Sequence, residues 1–316
     1  MNSKIRNRTI GIIFVLFGAS FWGIGGTAAD YLFDVEQINM NWYVTTRLII
    51  SGVLLLGVQA FLTNTKQVLS IWSDSNYRIP LLLFSLIGML LVQYSYMASI
   101  EAGNAAIATL LQYLAPIYII IWLTFKRYQK PNVSDIIAIF ITIIGTILLL
   151  TNGSFQSLTV SSVAILWGII SGISLAFYTL YAQKLLHSYS SVSVVGWAML
   201  VSGVFMNFIH PIWKVETSGW TLVTIIVLTL TIIFGTTLAF WMFIKSLEYL
   251  EAKEATLLGT VEPLTAVVSS IVWLRLPFGI WQMIGMLLIL ILVVYLSLQK
   301  KDKLTNEHRL DANTYN

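Results

Sequence analysis

Two stretches of this chain repeat each other without a gap, 147 residues apart. The first is Ser99-Ile-Glu-Ala-Gly-Asn-Ala-Ala-Ile-Ala-Thr-Leu-Leu-Gln-Tyr-Leu-Ala-Pro116. The second is Ser246-Leu-Glu-Tyr-Leu-Glu-Ala-Lys-Glu-Ala-Thr-Leu-Leu-Gly-Thr-Val-Glu-Pro263. Both contain the run Ala-Thr-Leu-Leu, both end in proline, and each lies in a long apolar segment. A duplicated membrane unit with an interrupted helix in each half is typical of secondary transporters.

The composition indicates a membrane protein. Hydrophobic residues make up 57% of the chain, charged residues only 10%, and the mean hydropathy is +0.82. A spanning helix needs about 20 apolar residues. The first apolar run is too long for a signal-peptide core and lacks a cleavage site, so it is predicted to be a span. Ten spans are predicted, at residues 10–32, 38–62, 79–99, 104–125, 134–151, 160–183, 192–213, 221–244, 253–274 and 278–298.

Basic residues concentrate in the loops on one side of the predicted bundle. The other side has little beyond Lys214 and Arg275. The positive-inside rule therefore predicts a multi-pass protein of the cell membrane with both termini in the cytoplasm. The net charge of +4 then reflects orientation in the bilayer and gives no reason to expect nucleic-acid binding. The basic residues on the predicted cytoplasmic side are Lys4, Arg6, Arg8, Lys66, Arg78, Lys126, Arg127, Lys130, Lys184, Lys253, Lys300, Lys301 and Lys303.

An odd number of spans in each half fixes the relation between the halves. With five spans each, the second half enters the membrane from the opposite face, so we expect an all-α fold of two inverted five-helix repeats around a central cavity. Proline removes an amide donor and displaces the carbonyl four residues earlier. Pro116 and Pro263 therefore predict helix breaks near mid-membrane, with the carbonyls of Gln112 and Gly259 as candidate unpaired acceptors beside the cavity.

Several of these features resemble the EamA family of the drug/metabolite transporter superfamily. They are the doubled five-span unit, the Trp22-Gly23 pair late in the first span, Arg47 early in the second span, and Val261-Glu262-Pro263 in the second repeat. Members of the family often have Leu-Gly-Glu at the ends of the fourth and ninth spans. This chain has Lys126-Arg127 and Arg275-Leu276 there.

The resemblance implies the domain organisation and the class of function. It implies a first EamA-like repeat over residues 10–151, a second over 160–298, and a cytoplasmic tail over 299–316. It also implies a carrier that works by alternating access, with export of amino acids or related metabolites as the favoured activity.

Two ionisable residues are the sharpest candidates for substrate binding. A carboxylate near the bilayer centre is costly and usually faces a cavity. Glu262 could therefore be a counter-charge for a cationic substrate, a proton site, or a neutral carboxyl that serves helix packing. Arg47 could bind a substrate carboxylate through a bidentate contact. It could also extend to the outer interface or pair with Glu262 or a backbone carbonyl.

Aromatic and polar side chains predict the rest of the cavity wall. In the sixth span they recur at spacings of four and three residues, which places them on one helix face. The alternative is that aromatic residues anchor the helices at the membrane interfaces. The stripe comprises Trp167, Ser171, Ser174, Tyr178 and Tyr181, and Trp22, Gln93, Tyr96, Gln112, Tyr113 and Trp241 could complete the wall.

Other classes of site lack the residues they need. The chain has no cysteine, which excludes disulfides and thiolate ligands. No Gly-Lys pair is present for a phosphate-binding loop, and His187, His210 and His308 are isolated in the sequence. We therefore predict no metal, no cofactor and no enzymatic activity.

The predicted function is transport of a small polar metabolite, most simply efflux of amino acids or related compounds. The expected partners are the substrate, the lipid bilayer and a coupled proton, with a homodimer as an option. One alternative is uptake of a cationic or quaternary amine, for which aromatic rings and Glu262 would be suitable. Another is a membrane sensor or accessory protein that transports nothing. Substrate, direction and coupling ion stay open from the sequence.

Overall fold

The computed structural model describes residues 3–103, 105–126, 132–154, 161–215, 217, 219–274, 279–292 and 294–295, and this part of the chain is helices joined by short turns and loops. The predicted tail, residues 299–316, lies outside these ranges. Two segments, Phe84–Leu90 and Ile233–Leu238, are π-helical and continue directly into the helices that flank them. The helices are α1 (Ser3–Asp34), α2 (Met40–Leu62), α3 (Thr65–Ser73), α4 (Ser75–Leu83), α5 (Leu91–Ala102), α6 (Ala105–Gln112), α7 (Ala115–Phe125), α8 (Val133–Thr151), α9 (Ser162–Leu186), α10 (Ser191–Ile209), α11 (Leu222–Ile232), α12 (Ala239–Ser246), α13 (Ala252–Leu258), α14 (Val261–Leu274) and α15 (Ile280–Leu292).

Eight helical stretches are long and apolar enough to cross a membrane. The chain is therefore a multi-pass membrane protein, and these stretches overlap eight of the predicted spans. The other two predicted spans, 134–151 and 278–298, contain the shorter apolar helices Val133–Leu148 and Ile280–Leu292. The eight stretches are Asn7–Asp34, Met40–Leu62, Ser75–Ala102, Ala108–Phe125, Ser162–Leu186, Ser191–Ile209, Leu222–Ser246 and Ala252–Trp273.

Both copies of the repeated motif are interrupted helices. A two-residue gap separates α6 from α7, and another separates α13 from α14. The gaps are tight turns because backbone hydrogen bonds continue through them; for example, the Glu262 amide donates to the Gly259 carbonyl at 2.9 Å. Pro116 and Pro263 lie in the first turn of the helix that restarts. There the missing amide removes no hydrogen bond within the helix.

The first helix of each half packs on the interrupted helix of the other half. α1 lies along α14, and α9 lies along α6 and α7. Glycines allow the close approach: a Cβ on Gly23 would lie 2.3 Å from the Glu262 carbonyl oxygen, and one on Gly172 would lie 2.8 Å from the Leu111 carbonyl oxygen. Small residues have this role in membrane helices because they let two backbones meet. These contacts hold both breaks between the halves of the chain.

α2 and α10 pack against each other and share a tripeptide. The tripeptide is Ser51-Gly52-Val53 in α2 and Ser202-Gly203-Val204 in α10. The Ser51 hydroxyl lies 2.7 Å from that of Thr237, and the Ser202 hydroxyl donates to the Ser85 carbonyl at 2.7 Å. Thr237 and Ser85 belong to the two π-helical segments. A π turn perturbs the helical hydrogen-bond ladder, and in both places a serine of the facing helix provides a further partner.

Two ion pairs tie together the membrane face at which α1 begins, here called the N-terminal face. Arg8 donates to Glu254 from both Nε, at 2.9 Å, and a terminal nitrogen, at 2.5 Å, and both residues are buried. The Lys253 Nζ lies 3.2 Å from a carboxylate oxygen of Asp135. These pairs fasten the start of α13 to α1 and to α8. The other face, which carries the loop of residues 35–39, is called the distal face below.

Candidate substrate cavity

A small cavity lies between the two halves of the chain. Its volume is about 30 Å³, room for about one or two water molecules. Both halves contribute to its wall, and six of the predicted substrate-binding residues are part of it: Trp22, Arg47, Gln93, Tyr96, Gln112 and Glu262. The remaining lining residues are Gly25, Gly26, Tyr43, Val92, Met97, Leu175, Gly235 and Phe240.

Arg47 is buried on α2, with 3% of its surface exposed. Its guanidinium carbon lies 5.0 Å from the centre of the Tyr43 ring, one turn earlier on the same helix face. Within the described part of the chain its Nε has no hydrogen-bond partner, and it forms no ion pair with Glu262 or any other carboxylate. It therefore does not extend to the interface. A cation buried without a counter-charge is costly, so this position favours an anionic ligand.

Glu262 lies in the first turn of α14 and is 2% exposed. The Tyr113 hydroxyl is 3.1 Å from its Oε2, and the Tyr96 side chain lines the same cavity. Tyr113 also donates to the Gly259 carbonyl. The expectation that the Gly259 carbonyl is an unpaired acceptor was therefore wrong, because a tyrosine from the other interrupted helix reaches it. The same tyrosine orients the carboxyl group beside the cavity.

Further polar atoms in the wall lack partners. The Gln93 Oε1 and the Trp22 Nε1 are buried with no hydrogen-bond partner among the described residues. Gln112 is held in place, since its Nε2 donates to the Ser171 hydroxyl at 2.8 Å. Buried polar groups normally find partners, and exceptions need an explanation. Among the described residues, the wall therefore offers two unpaired donors, the Arg47 Nε and the Trp22 Nε1, and one unpaired acceptor, the Gln93 Oε1. The Glu262 carboxyl adds a further polar group.

The predicted stripe on the sixth span does not line this cavity. Only Leu175 of α9 does so. Members of the stripe contact neighbouring helices instead: Trp167 packs on Tyr94 of α5, and the Ser171 hydroxyl accepts a hydrogen bond from Gln112 of α6. Tyr178 is fully buried against Phe84, with ring centres 5.0 Å apart, and Tyr181 stacks on Phe177 at 4.9 Å. Helical spacing identified a shared face correctly, but that face is covered by neighbouring helices. The stripe residues outside the wall are Trp167, Ser171, Ser174, Tyr178 and Tyr181.

Two other predicted lining residues also lie outside the wall. Trp241 packs edge-on against Phe14, with ring centres 5.7 Å apart. Its neighbour Phe240 occupies the position that faces the cavity, because adjacent helical side chains point in different directions. Tyr113 lies behind Glu262 and contacts it directly. It therefore holds Glu262 in position and does not itself line the cavity.

Sequence reasoning missed several wall residues that carried detectable signals. Tyr43 lies one turn from Arg47 on the same face. Phe240 lies 147 residues after Gln93, at the spacing of the repeat. Gly235 also lines the wall, and a Cβ on it would lie 3.0 Å from the Gly25 Cα. The helix face shared with Arg47 would have indicated Tyr43, and extending the repeat alignment to Gln93 would have indicated Phe240.

Larger recesses open on both faces of the bundle. The recess on the distal face has a volume of about 1080 Å³ and is lined by Trp42, next to the cavity residue Tyr43, and by Asp34, Glu36 and Glu101. The recess on the N-terminal face has a volume of about 570 Å³, with Lys245 and Glu248 in its wall. The cavity lies at mid-length of its helices, between these openings.

The two halves of the chain match one family model in turn. The EamA-like transporter family matches residues 9–151 and again residues 162–298. The chain belongs to the EamA-like transporter family. The predicted family is thus confirmed, and membership indicates a transmembrane transporter rather than an enzyme.

Relatives of this EamA protein agree with that assignment. It is 32% identical over 293 residues to the uncharacterized inner membrane transporter YicL of Salmonella typhimurium, which covers 92% of this chain and 96% of the relative. It is 25% identical to the uncharacterized transporter YwfM of Bacillus subtilis over 80% of this chain and 82% of that one. A solved crystal structure aligns with a TM-score of 0.72 over 95% of this chain and 98% of that chain. At 13% identity, that likeness concerns the fold alone.

Proposed function

We propose that this EamA protein is a secondary carrier that exports amino acids or closely related zwitterions by alternating access. The observation that carries the proposal is that Arg47 and Glu262 line one cavity without forming an ion pair with each other. A free amino acid presents the complementary pair of charges. Its carboxylate can accept two hydrogen bonds from the guanidinium, and its ammonium group can donate to the Glu262 carboxylate. The direction of transport, export, is the one that the resemblance to the EamA family favours.

The proposed architecture is ten crossings in two inverted five-helix repeats, residues 10–151 and 160–298, with both termini in the cytoplasm. The twofold family match, the exchanged packing of α1 and α9, and the paired π segments support this arrangement. In such carriers, one half rocks against the other around a fixed site. The N-terminal face would then be cytoplasmic and the distal face outward.

Binding requires the cavity to widen. A volume of about 30 Å³ holds water but no amino acid, so the walls must separate before substrate enters from either recess. Both interrupted helices restart beside the cavity, and such breaks let helix segments move separately. Glu262 would bind either the substrate ammonium group or a proton. Because one carboxyl group cannot hold both, the protein would exchange substrate for a proton.

Uptake of a cationic or quaternary amine is the second candidate. Trp22 packs against Phe240, with ring centres 4.7 Å apart, beside Tyr96 and Glu262. Aromatic faces and a carboxylate can hold such a cation. Arg47 is in the same wall, however, and would repel a ligand that carries only positive charge. The amino acid is therefore the better match to this cavity.

Flux into proteoliposomes tests the proposal. Purified protein should exchange labelled leucine for unlabelled leucine, and labelled choline should not exchange. Arg47→Gln should reduce leucine exchange by about tenfold or more, since a hydrogen bond to a charged group contributes roughly 1.5–3 kcal/mol. The control is Arg78→Gln, which alters an exposed arginine whose contact is with the Ser73 carbonyl; it should exchange at the wild-type rate.

Three results would argue against the proposal. Exchange of choline but of no amino acid would favour the cation carrier. Absence of exchange for every substrate would favour the non-transporting alternative, provided that a thermal unfolding transition shows the purified protein to be folded. Equal losses of leucine exchange in Arg47→Gln and Arg78→Gln would show that Arg47 does not bind the substrate.

A further inference from the structure

Asp30 is a half-buried carboxylic acid in the distal part of α1. The proposed transport mechanism gives it no role in binding substrate. It lies within the first span, four residues before the exposed Asp34. An acid inside a spanning helix is costly and usually has a function. Unlike Glu262, it does not line the central cavity.

Two helices place Asp30 one turn from Tyr96. On α1, a Cβ at Gly26 would lie 2.9 Å from the Tyr96 hydroxyl, and Asp30 follows four residues later on the same face. On α6, the Thr109 hydroxyl lies 2.8 Å from that of Tyr96. Four residues before Thr109, the Ala105 amide faces the Asp30 carboxylate. On both helices, the position beside Asp30 is thus one turn, about 5.4 Å along the axis, from the position beside the Tyr96 hydroxyl.

Tyr96 also reaches Glu262. Both residues line the cavity, and the Tyr96 hydroxyl lies near the Glu262 carboxyl. Tyr96 therefore lies between two carboxyl groups. One of them borders the cavity, and the other lies one turn below the exposed Asp34 at the rim of the distal recess. One water molecule can bridge a gap of one helical turn.

We propose that Asp30 is the proton-exchange residue between the distal recess and Glu262, with the Tyr96 hydroxyl as the link. This inference rests on the proposed exchange of substrate for a proton at Glu262. Water in the recess protonates Asp30. Asp30 then passes a proton through one water molecule to the Tyr96 oxygen, while the Tyr96 hydroxyl gives its own proton to the Glu262 carboxylate. The tyrosine ends neutral, Glu262 is protonated, and Asp30 is ionised again.

The charges near Asp30 suit this route. Asp34 is the acid closest to it along α1, Tyr96 faces it from α5, and the exposed Glu101 lies at the distal end of α5 in the recess wall. Glu262 on α14 and Arg47 on α2 interact electrostatically with Tyr96 from the cavity side. The α6 contact is a backbone amide. In the described parts of the other elements packed on α1, ionisable side chains lie near the N-terminal face: Lys245, Lys253 and Glu254.

The test separates proton-driven transport from exchange. Exchange of labelled for unlabelled leucine requires no net proton movement, whereas uptake driven by a pH gradient does. Asp30→Asn should lose at least tenfold in gradient-driven uptake while it keeps leucine exchange within about twofold of wild type. The matched control is Asp34→Asn, the same substitution one turn nearer the solvent, which should retain both activities. Asp30→Glu, which restores a carboxyl group, should recover gradient-driven uptake.

Each other outcome has a defined meaning. Gradient-driven uptake at the wild-type rate in Asp30→Asn would overturn the assignment. Loss of both activities in Asp30→Asn, with no recovery in Asp30→Glu, would show a structural role and overturn it too. Absence of exchange of any amino acid in the wild type would instead reject the proposed function. Tyr96→Phe, which removes the linking hydroxyl, should also lose gradient-driven uptake more than exchange; the reverse order would contradict the route.

Discussion

Replacing Gly23 with alanine tests the contact that holds α1 against the start of α14. The added Cβ would lie 2.3 Å from the Glu262 carbonyl oxygen and 2.9 Å from the Ala266 amide nitrogen. Ordinary contact begins at 3.4 Å, so α1 must withdraw by 3.4 − 2.3 = 1.1 Å. These two atoms belong to the backbone and cannot rotate away, and the side-chain hydroxyl of Thr265 obstructs the same space. Overpacking of this kind costs about 1–3 kcal/mol.

Gly57 provides the matched control. It also lies within a spanning helix, but a Cβ there would meet nothing within 4 Å. Gly57→Ala should therefore stabilise the protein by up to about 1 kcal/mol, because alanine favours the helix. The two variants should differ by about 1–4 kcal/mol, which is several degrees in the unfolding midpoint of purified protein. If Gly23→Ala unfolds at or above the temperature of Gly57→Ala, the close packing of α1 on α14 is wrong.

Three further predictions concern the two faces of the bundle. Glu254→Gln removes the buried carboxylate that accepts two hydrogen bonds from Arg8 and should lower the free energy of unfolding by about 3–5 kcal/mol, measured by thermal or denaturant unfolding. A hydrogen bond from Thr224, at 2.5 Å, holds the pKa of Glu36 below its usual value. Its stabilising contribution is therefore present above the ordinary pKa and lost as the pH falls through the lowered one, and Thr224→Val should weaken this acid dependence of the unfolding midpoint. In intact cells, an impermeant thiol reagent should label Lys214→Cys and spare Lys66→Cys; the reverse pattern would invert the proposed orientation.

The features that sequence reasoning located well depend on local chemistry. A proline at mid-span changes the helix wherever it occurs, and the structure has an interruption directly before both Pro116 and Pro263. A charge inside a span is costly wherever it lies, which is why Glu262 and Arg47 were found. Their contacts with Tyr113 and Tyr43 depend on how helices meet, and no local pattern gives that.

Some of the features that were missed depend on how the helices pack. Others carry a signal in the sequence that was used at one position and not at another. The sixth-span stripe was assigned to the cavity because its spacing gives a face, but only the structure shows that α5 and α6 cover it. Helix α3 was not predicted, since it is short and follows a span closely. There the Trp197 indole donates to the Val68 carbonyl at 2.8 Å. Asp30 could have been found, because the argument applied to Glu262 holds for any acid in a predicted span.

The most direct test of alternating access at this cavity is its accessibility from each side of the membrane. The natural chain has no cysteine, so Val92→Cys places a single thiol in the cavity wall. Val58→Cys, on the exposed surface of α2, is the control and should not react with an aqueous reagent. We expect Val92→Cys to react with an impermeant thiol reagent in right-side-out and in inside-out vesicles, and leucine to slow both reactions. Reaction from one side only under every condition, or rates that leucine leaves unchanged, would contradict a substrate site with alternating access.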